Sequence, residues 1–341
     1  ADAYGHGLVP SARAARAGGA TWFGTATLDE ALEVRAAGFA EPVLGWLWTP
    51  GENDTLRKAI RAGIDVSVSN PWQLDSVRAA AANIGVTARI HLKIDTGLSR
   101  NGSYVDDWPT LVKSVAKAQV AGEVDAFGVW SHFVYADQPG HPTIAKQIAA
   151  FRDALEVADR FGLQPQVRHL ANSAATLTLP EAHFDLVRPG IAVYGLSPMP
   201  DPENSGLTPA MTLQGAVASV KRVRAGEGVS YGHVYTTERE TTLALVPLGY
   251  ADGVPRNATN VGPVSINGQR FTVSGRVCMD QFVVDVGDLP VAAGDAAVLF
   301  GPGSNGEPTA GDWAEAVGTI HYEIVTRVGA RVPRVYVSED T

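Results

Sequence analysis

Cysteine is almost absent. Cys278 stands alone, so no intrachain disulfide can form and the fold must rest on its core. Positive charge is scarce as well: 27 Lys and Arg stand against 36 Asp and Glu, for a net charge of −9. No basic block interrupts that balance, which argues against a chain that wraps nucleic acid. No apolar run approaches the roughly 18 residues needed to cross a bilayer, and no signal peptide opens the chain. Low-complexity segments are missing too. These absences lead to the expectation of a cytoplasmic chain with neither a nucleic-acid nor a membrane partner.

What is present is a core and a rhythm. Hydrophobic residues make up 45% of 341 positions, enough for about two domains at roughly 150 residues each. Short β-branched and aromatic runs at 22–27, 42–47, 64–69, 88–95, 124–132, 167–172 and 184–187 alternate with helical stretches closed by glycine. Strands that alternate with helices pair in parallel. The opening Ala1-Asp2-Ala3-Tyr4-Gly5-His6-Gly7 reads as a loop entering a helix around 9–17. We expect one more strand before Ala1. Seven and one make eight, the number that closes an α/β (β/α)8 barrel of TIM type. An open doubly wound sheet competes, but no G-x-G-x-x-G stands where its first turn needs one.

Beyond about 205 the texture changes. Residues 210–223 alternate over a long stretch, 242–248 and 282–286 are apolar and β-branched, and 296–300 reads as another strand. Asn267-Gly268 between two alternating runs predicts a tight hairpin. Helical stretches fall at 311–317 and 321–328, and 335–337 reads as a last strand. The expected division is a barrel over 1–205 and a mostly antiparallel β domain over 206–341, with a linker at 198–206.

In such a barrel the active site lies at the carboxyl ends of the strands. That rule selects Lys93, Asp95 and Arg100 in H-L-K-I-D-T-G-L-S-R, then Ser131-His132-Phe133, His169, Asn172-Ser173, and Arg188-Pro189-Gly190-Ile191. The loops after the last two strands often take phosphate. Ser173 offers a hydroxyl there, and Gly190 and Ile191 offer backbone N–H groups. Plainer readings stand beside these. His132 and His169 also suit a core, Arg100 and Arg188 suit surface ion pairs, and Cys278 suits burial. Lys93 differs, because a lysine inside a buried strand is costly unless neutralised or paired.

Together these motifs resemble the alanine racemases. A-D-A-Y-G-H-G, K-I-D-T-G-L-S-R, the S-H-F strand end, L-A-N-S-A, V-R-P-G-I-A-V-Y-G, V-S-Y-G, G-Y-A-D-G, G-R-V-C-M-D-Q and R-V-P-R follow in order over essentially the whole chain. The resemblance implies a barrel plus C-terminal β domain, pyridoxal 5'-phosphate as cofactor, and a homodimer with shared active sites. It implies that Tyr4, Ser173, Gly190, Ile191 and Tyr322 hold the phosphate. Arg188 would face the pyridine nitrogen, supported by His169, and His132 would lie against the ring. Tyr231 would be one catalytic base, given by the other subunit. Arg100 and the backbone at Met279 would orient the substrate carboxylate, and Lys93 would be a site of carbamylation. The family's Schiff-base lysine directly precedes the A-D-A-Y-G-H-G stretch, so it is expected immediately before Ala1.

The implied reaction interconverts L- and D-alanine by two-base proton transfer and supplies D-alanine for peptidoglycan. A broader racemase acting on serine is the nearest alternative. Amino-acid decarboxylases of the same architecture are disfavoured by the arginine in V-R-P-G, because they set an acidic residue against the ring. A pyridoxal-phosphate-binding protein without turnover is the non-enzyme alternative.

Overall fold

The computed structural model describes residues 1–200 and 206–337. Of the linker expected over 198–206, residues 201–205 lie outside the described residues. The chain packs as two compact units. One holds residues 8–193 and the stretch beginning at Ser197; the other holds Ala1–Gly7, Tyr194–Leu196 and the chain from Leu207 onward.

The first unit is a TIM-type barrel. Its elements alternate without exception: α1 (Leu8–Ala17), β1 (Phe23–Thr27), α2 (Leu28–Ala36), β2 (Val43–Leu47), α3 (Asn53–Arg61), β3 (Asp65–Val68), α4 (Pro71–Ile84), β4 (Ala88–Lys93), α5 (Trp108–Val120), β5 (Val124–Trp130), α6 (Pro142–Arg160), β6 (Val167–His169) and α7 (Ser173–Thr178). The six strands pair in parallel in sequence order. Local chemistry sets the boundaries. Thr27 and Glu30 form a reciprocal capping box that opens α2. Asn70 caps α4, Pro71 follows it, and Gly85 closes that helix in a left-handed turn. Strand β3 is buried at all four positions and β4 at five of six, as expected of strands covered on both faces. Val66, Val68, Ile90, Leu92, Val129 and Phe151 belong to one continuous core.

The strand expected at 184–187 does not form. Phe184 takes a left-handed backbone with φ of 49°, which breaks the extended run. The segment still lies beside β6, through Asp185 N–H to Arg168 O and Arg188 N–H to Ala171 O, both at 3.0 Å.

The second unit is mostly antiparallel. Its strands are β7 (Leu213–Ala216), β8 (Ser219–Val223), β9 (Gly228–Val229), β10 (Tyr235–Thr236), β11 (Thr241–Val246), β12 (Pro263–Ile266), β13 (Gln269–Thr272), β14 (Phe282–Gly287) and β15 (Ala296–Phe300), followed by helices α8 (Ala310–Val317) and α9 (His321–Thr326). They form sheets in the orders β13-β12-β15-β7, β14-β11-β8 and β10-β9. The alternating stretch at 210–223 is two strands in different sheets. The Asn267-Gly268 hairpin forms, with both residues at positive φ (49° and 76°) as a primed turn demands. The strand expected at 335–337 is absent. Val335, Tyr336 and Val337 are exposed and pair with no strand among the described residues.

Residues 1–7 belong to this unit and fold unusually. Asp2, Ala3, Tyr4 and Gly5 all have φ between 46° and 77°, a left-handed turn closed by Gly5 N–H to Ala1 O at 3.0 Å. Each non-glycine residue there costs roughly 1–2 kcal/mol, so other contacts must hold the turn. Arg334 does so. Its guanidinium donates to Gly5 O at 3.2 Å and to the carbonyls of Val328, Gly329 and Val332.

Candidate active site

Strand register assembles the centre of the barrel site. Lys93 pairs with Trp130 across β4 and β5, and Trp130 pairs with His169 across β5 and β6. The three side chains stand side by side at the carboxyl ends of their strands. The His169 ring stacks on Trp130 at 5.6 Å with planes 3° apart. Lys93 Nζ sits 4.2 Å above the same indole, and the Arg188 guanidinium 4.9 Å from it. Such cation–π contacts steady charges that have little water around them.

Arg188 is the hub. Its Nη1 lies 2.9 Å from His169 Nδ1, and its Nη2 donates to Ser131 O at 2.7 Å and Leu170 O at 3.2 Å, with His132 Nδ1 at 3.5 Å. No carboxylate pairs with it among the described residues. Burial therefore lowers the guanidinium to about 9. Lys93 is brought down to about 8, first by burial and then by the charges of Arg100 and Arg188. His132 is pushed down to about 3 by burial and by the same cations. His169 is also held neutral by burial. The site is thus a half-dry pocket of positive charge, built to receive an anion.

The neighbouring loops are tied down. Asp95 accepts from the backbone N–H of Gly97, Leu98 and Ser99, and so fixes the turn that leads to the exposed Arg100. Gln147, fully buried on α6, donates to Thr96 Oγ1 and to His132 O. Ser173 opens α7 behind the Asn172 cap. Its hydroxyl accepts from Gly190 N–H at 2.7 Å and Ala192 N–H at 3.4 Å. Hydroxyl and amide donors therefore converge without a carboxylate, a donor set that fits a phosphate oxygen. Ile191 is buried beside them.

The second unit carries the remaining candidates. The Tyr4 ring lies 5.1 Å from Tyr194 and 6.1 Å from Tyr322, so three tyrosines cluster. Burial raises the Tyr4 phenol above its ordinary value. A Cβ on Gly5 would stand 2.4 Å from Val325 O, so only glycine lets the Tyr4 turn approach α9 so closely. Tyr231 is 72% exposed and Met279 is 54% exposed. Their loops are joined: Ser230 Oγ donates to Arg276 O at 2.7 Å and lies 3.5 Å from Cys278 Sγ.

Four residues escaped the sequence reading. Trp130, Tyr194, His91 and Asp65 were not selected, although Trp130 is the platform of the site. The alternation in His91-Leu92-Lys93 was a usable signal, because residues two apart on a strand share a face. Asp65 gave none, since it sits at the opening of a strand rather than at its end.

Comparison with known proteins supports the family and the fold. The family models of the alanine racemase N-terminal and C-terminal domains match residues 1–198 and 210–336. The alanine racemase of Salinispora arenicola is 62% identical over 339 residues, spanning 99% of this chain and 90% of the relative. That of Frankia casuarinae is also 62% identical, over 99% of this chain and 88% of its own length. Among solved structures, the alanine racemase of D-cycloserine-producing Streptomyces lavendulae superposes with a TM-score of 0.96 at 60% identity, covering 99% of this chain and 88% of that one. The Bacillus anthracis enzyme, solved with bound L-Ala-P, gives 0.92 at 34% identity over 100% and 87%. With both domains matched in order and such identity across nearly the whole length, the chain belongs to the alanine racemase family of pyridoxal-phosphate-dependent isomerases.

Proposed function

We propose that the chain interconverts L-alanine and D-alanine in the cytoplasm, supplying D-alanine for peptidoglycan, as a homodimer whose sites are completed by the partner subunit. The observation that carries this reading is the row Lys93, Trp130 and His169 with Arg188 bound to His169 and, among the described residues, no acid paired with it. Pyridoxal phosphate, when bound, supplies an electron sink that acidifies the α-hydrogen of an amino acid joined to it. The protein's own residues select the reaction.

Within the barrel unit the phosphate role falls to Ser173, Gly190 and Ile191. Arg188 would face the ring nitrogen. A guanidinium donates and cannot take a proton from that nitrogen, so the ring is a weaker sink and side reactions such as transamination are held back. Arg100 orients the substrate carboxylate. Loss of CO₂ would remove the charge that Arg100 stabilises, which opposes decarboxylation. His132 would lie against the ring. Tyr231 of the partner subunit takes or gives the α-proton through its phenol oxygen. Its exposure here, at 72%, suits a side chain presented across a subunit boundary. Lys93, with its amine brought down to about 8, suits carbamylation, which would set an anion between Arg100 and Arg188.

Mixing two inactive proteins tests the whole reading. Tyr231→Phe and Arg188→Ala each disable a different half of a shared site. Dissociated, mixed and re-associated, they are expected to regain racemase activity in heterodimers that keep one intact site. Activity that never returns while dimers demonstrably re-form would sink the shared site.

A further inference from the structure

A chain of polar side chains runs through the barrel behind Arg188, and its far end takes no part in the roles assigned above. Arg188 Nη1 lies 2.9 Å from His169 Nδ1, His169 Nε2 lies 2.9 Å from His91 Nδ1, and His91 Nε2 lies 3.3 Å from Asp65 Oδ2. His169, His91 and Asp65 are all buried. The end groups dictate the direction of every link. Arg188 can only donate, so His169 Nδ1 accepts and the His169 proton sits on Nε2. That N–H makes His91 Nδ1 an acceptor, which places the His91 proton on Nε2. Asp65 receives it. The Arg89 fork, at 2.7 and 2.6 Å, pairs with Asp65 as a carboxylate, which is an acceptor only. Both imidazoles are therefore neutral, in agreement with the direction in which burial moves them.

The fold makes room for this wire. Gly128 pairs with His91 in the strand register, and a Cβ on Gly128 would stand 2.3 Å from His91 Nδ1. The β4–β5 register shifts by one residue between Ile90 and His91, which brings a glycine rather than Phe127 opposite the imidazole. The rings of Trp22 and Phe127 lie 5.5 and 5.9 Å from that of His91, and none of it is left exposed.

We propose that Asp65 is a positioning residue for racemisation, fixing through His91 and His169 the donor direction that Arg188 presents to the ring nitrogen of the coenzyme. This rests on the assignment of Arg188 made above. If the wire ran the other way, His169 would present an N–H to a guanidinium N–H, donor against donor, and Arg188 would have to turn.

Asp65→Asn in the holoenzyme is the test. Asparagine can donate to His91 as well as accept from it, so the direction is no longer enforced. The substrate-free variant should show a shifted absorption of bound coenzyme. Conversion of coenzyme to its amine form, per racemisation event, should rise about tenfold, the scale of one lost hydrogen bond to a charged group. The KM for alanine should hold. Arg89→Lys keeps a cation beside Asp65, so His91 keeps its carboxylate acceptor, and it should keep the wild-type absorption and partition. Should Asp65→Asn not fold, His91→Phe keeps a ring beside Gly128, removes both links, and is read the same way. A folded variant with unchanged absorption and partition overturns the proposal, and so does an equal shift in Arg89→Lys. A wild-type holoenzyme that does not racemise alanine would instead overturn the function beneath it.

Discussion

The two units prepare their candidate residues in opposite ways. In the barrel, Lys93, His132, His169 and Arg188 have their proton affinities displaced by burial before any ligand arrives. Lys93 is 4% exposed and His169 is 1% exposed, and both are fixed by strand register. In the second unit, Tyr231 and Met279 stand out on loops. The barrel holds an electrostatic environment that is inseparable from its core. The loops hold a group that can be changed without touching the fold. Pre-organised charge belongs on rigid elements, because any movement there would forfeit the low dielectric that makes it strong.

Tyr231→Phe puts the largest strain on this contrast. It removes one phenol oxygen from an exposed side chain. The expected result is a fall in kcat of about 10²–10⁴-fold, the usual range for a positioned acid or base. Denaturant unfolding should change by no more than about 0.5 kcal/mol, as for other surface changes. Near-wild-type kcat would remove the phenol from the mechanism. A large loss of stability would show that the loop is not independent of the fold.

Arg188→Ala is the converse. It leaves His169 Nδ1, Ser131 O and Leu170 O without their donor. Each unsatisfied buried acceptor costs about 1–3 kcal/mol. Urea unfolding should therefore report a loss of roughly 3 kcal/mol or more, together with the loss of activity. A variant as stable as wild type would mean that the pocket is wetter and more adaptable than its contacts indicate.

The same contrast explains what could be read from the sequence. Helices, parallel strands and the Asn267-Gly268 hairpin were legible because each arises from local signals: apolar period, caps and turn residues. The barrel-rim candidates were legible because strand ends are where such barrels act. Arg188, His169 and His132 come together as those positions suggest. Residues 184–187 misled because an apolar β-branched run says nothing about Phe184 adopting positive φ. Residues 335–337 misled for a related reason: a strand needs a partner, and tertiary structure gives them none. Trp130 and Asp65 escaped because their importance lies in the register of β4, β5 and β6 and in the path through the interior. No one-dimensional pattern carries either. The left-handed turn at 2–5 was equally hidden, since only Gly5 in it favours that backbone.

Lys93 offers the smallest effect and the clearest sign. Its amine titrates near 8 in the folded chain, against 10.5 ordinarily. Between those values the unfolded chain binds the extra proton, so stability rises with pH across that window. Below about 8 the folded chain carries the full penalty of a buried cation beside Arg100 and Arg188. Lys93→Met fills similar space without charge. At pH 7 it should unfold with about 2 kcal/mol more stability than wild type, somewhat less than the full pKa displacement implies because relaxation softens it. That advantage should shrink as pH rises towards 10. Bicarbonate should lift the wild type towards the variant, because a carbamate on Lys93 replaces a repelled cation by an anion between two arginines. A gap between the two proteins that stays constant from pH 7 to 10 would show that the amine is already neutral or already paired. The barrel's positive pocket would then be less crowded than its geometry implies, and closer in character to the exposed loops of the other unit.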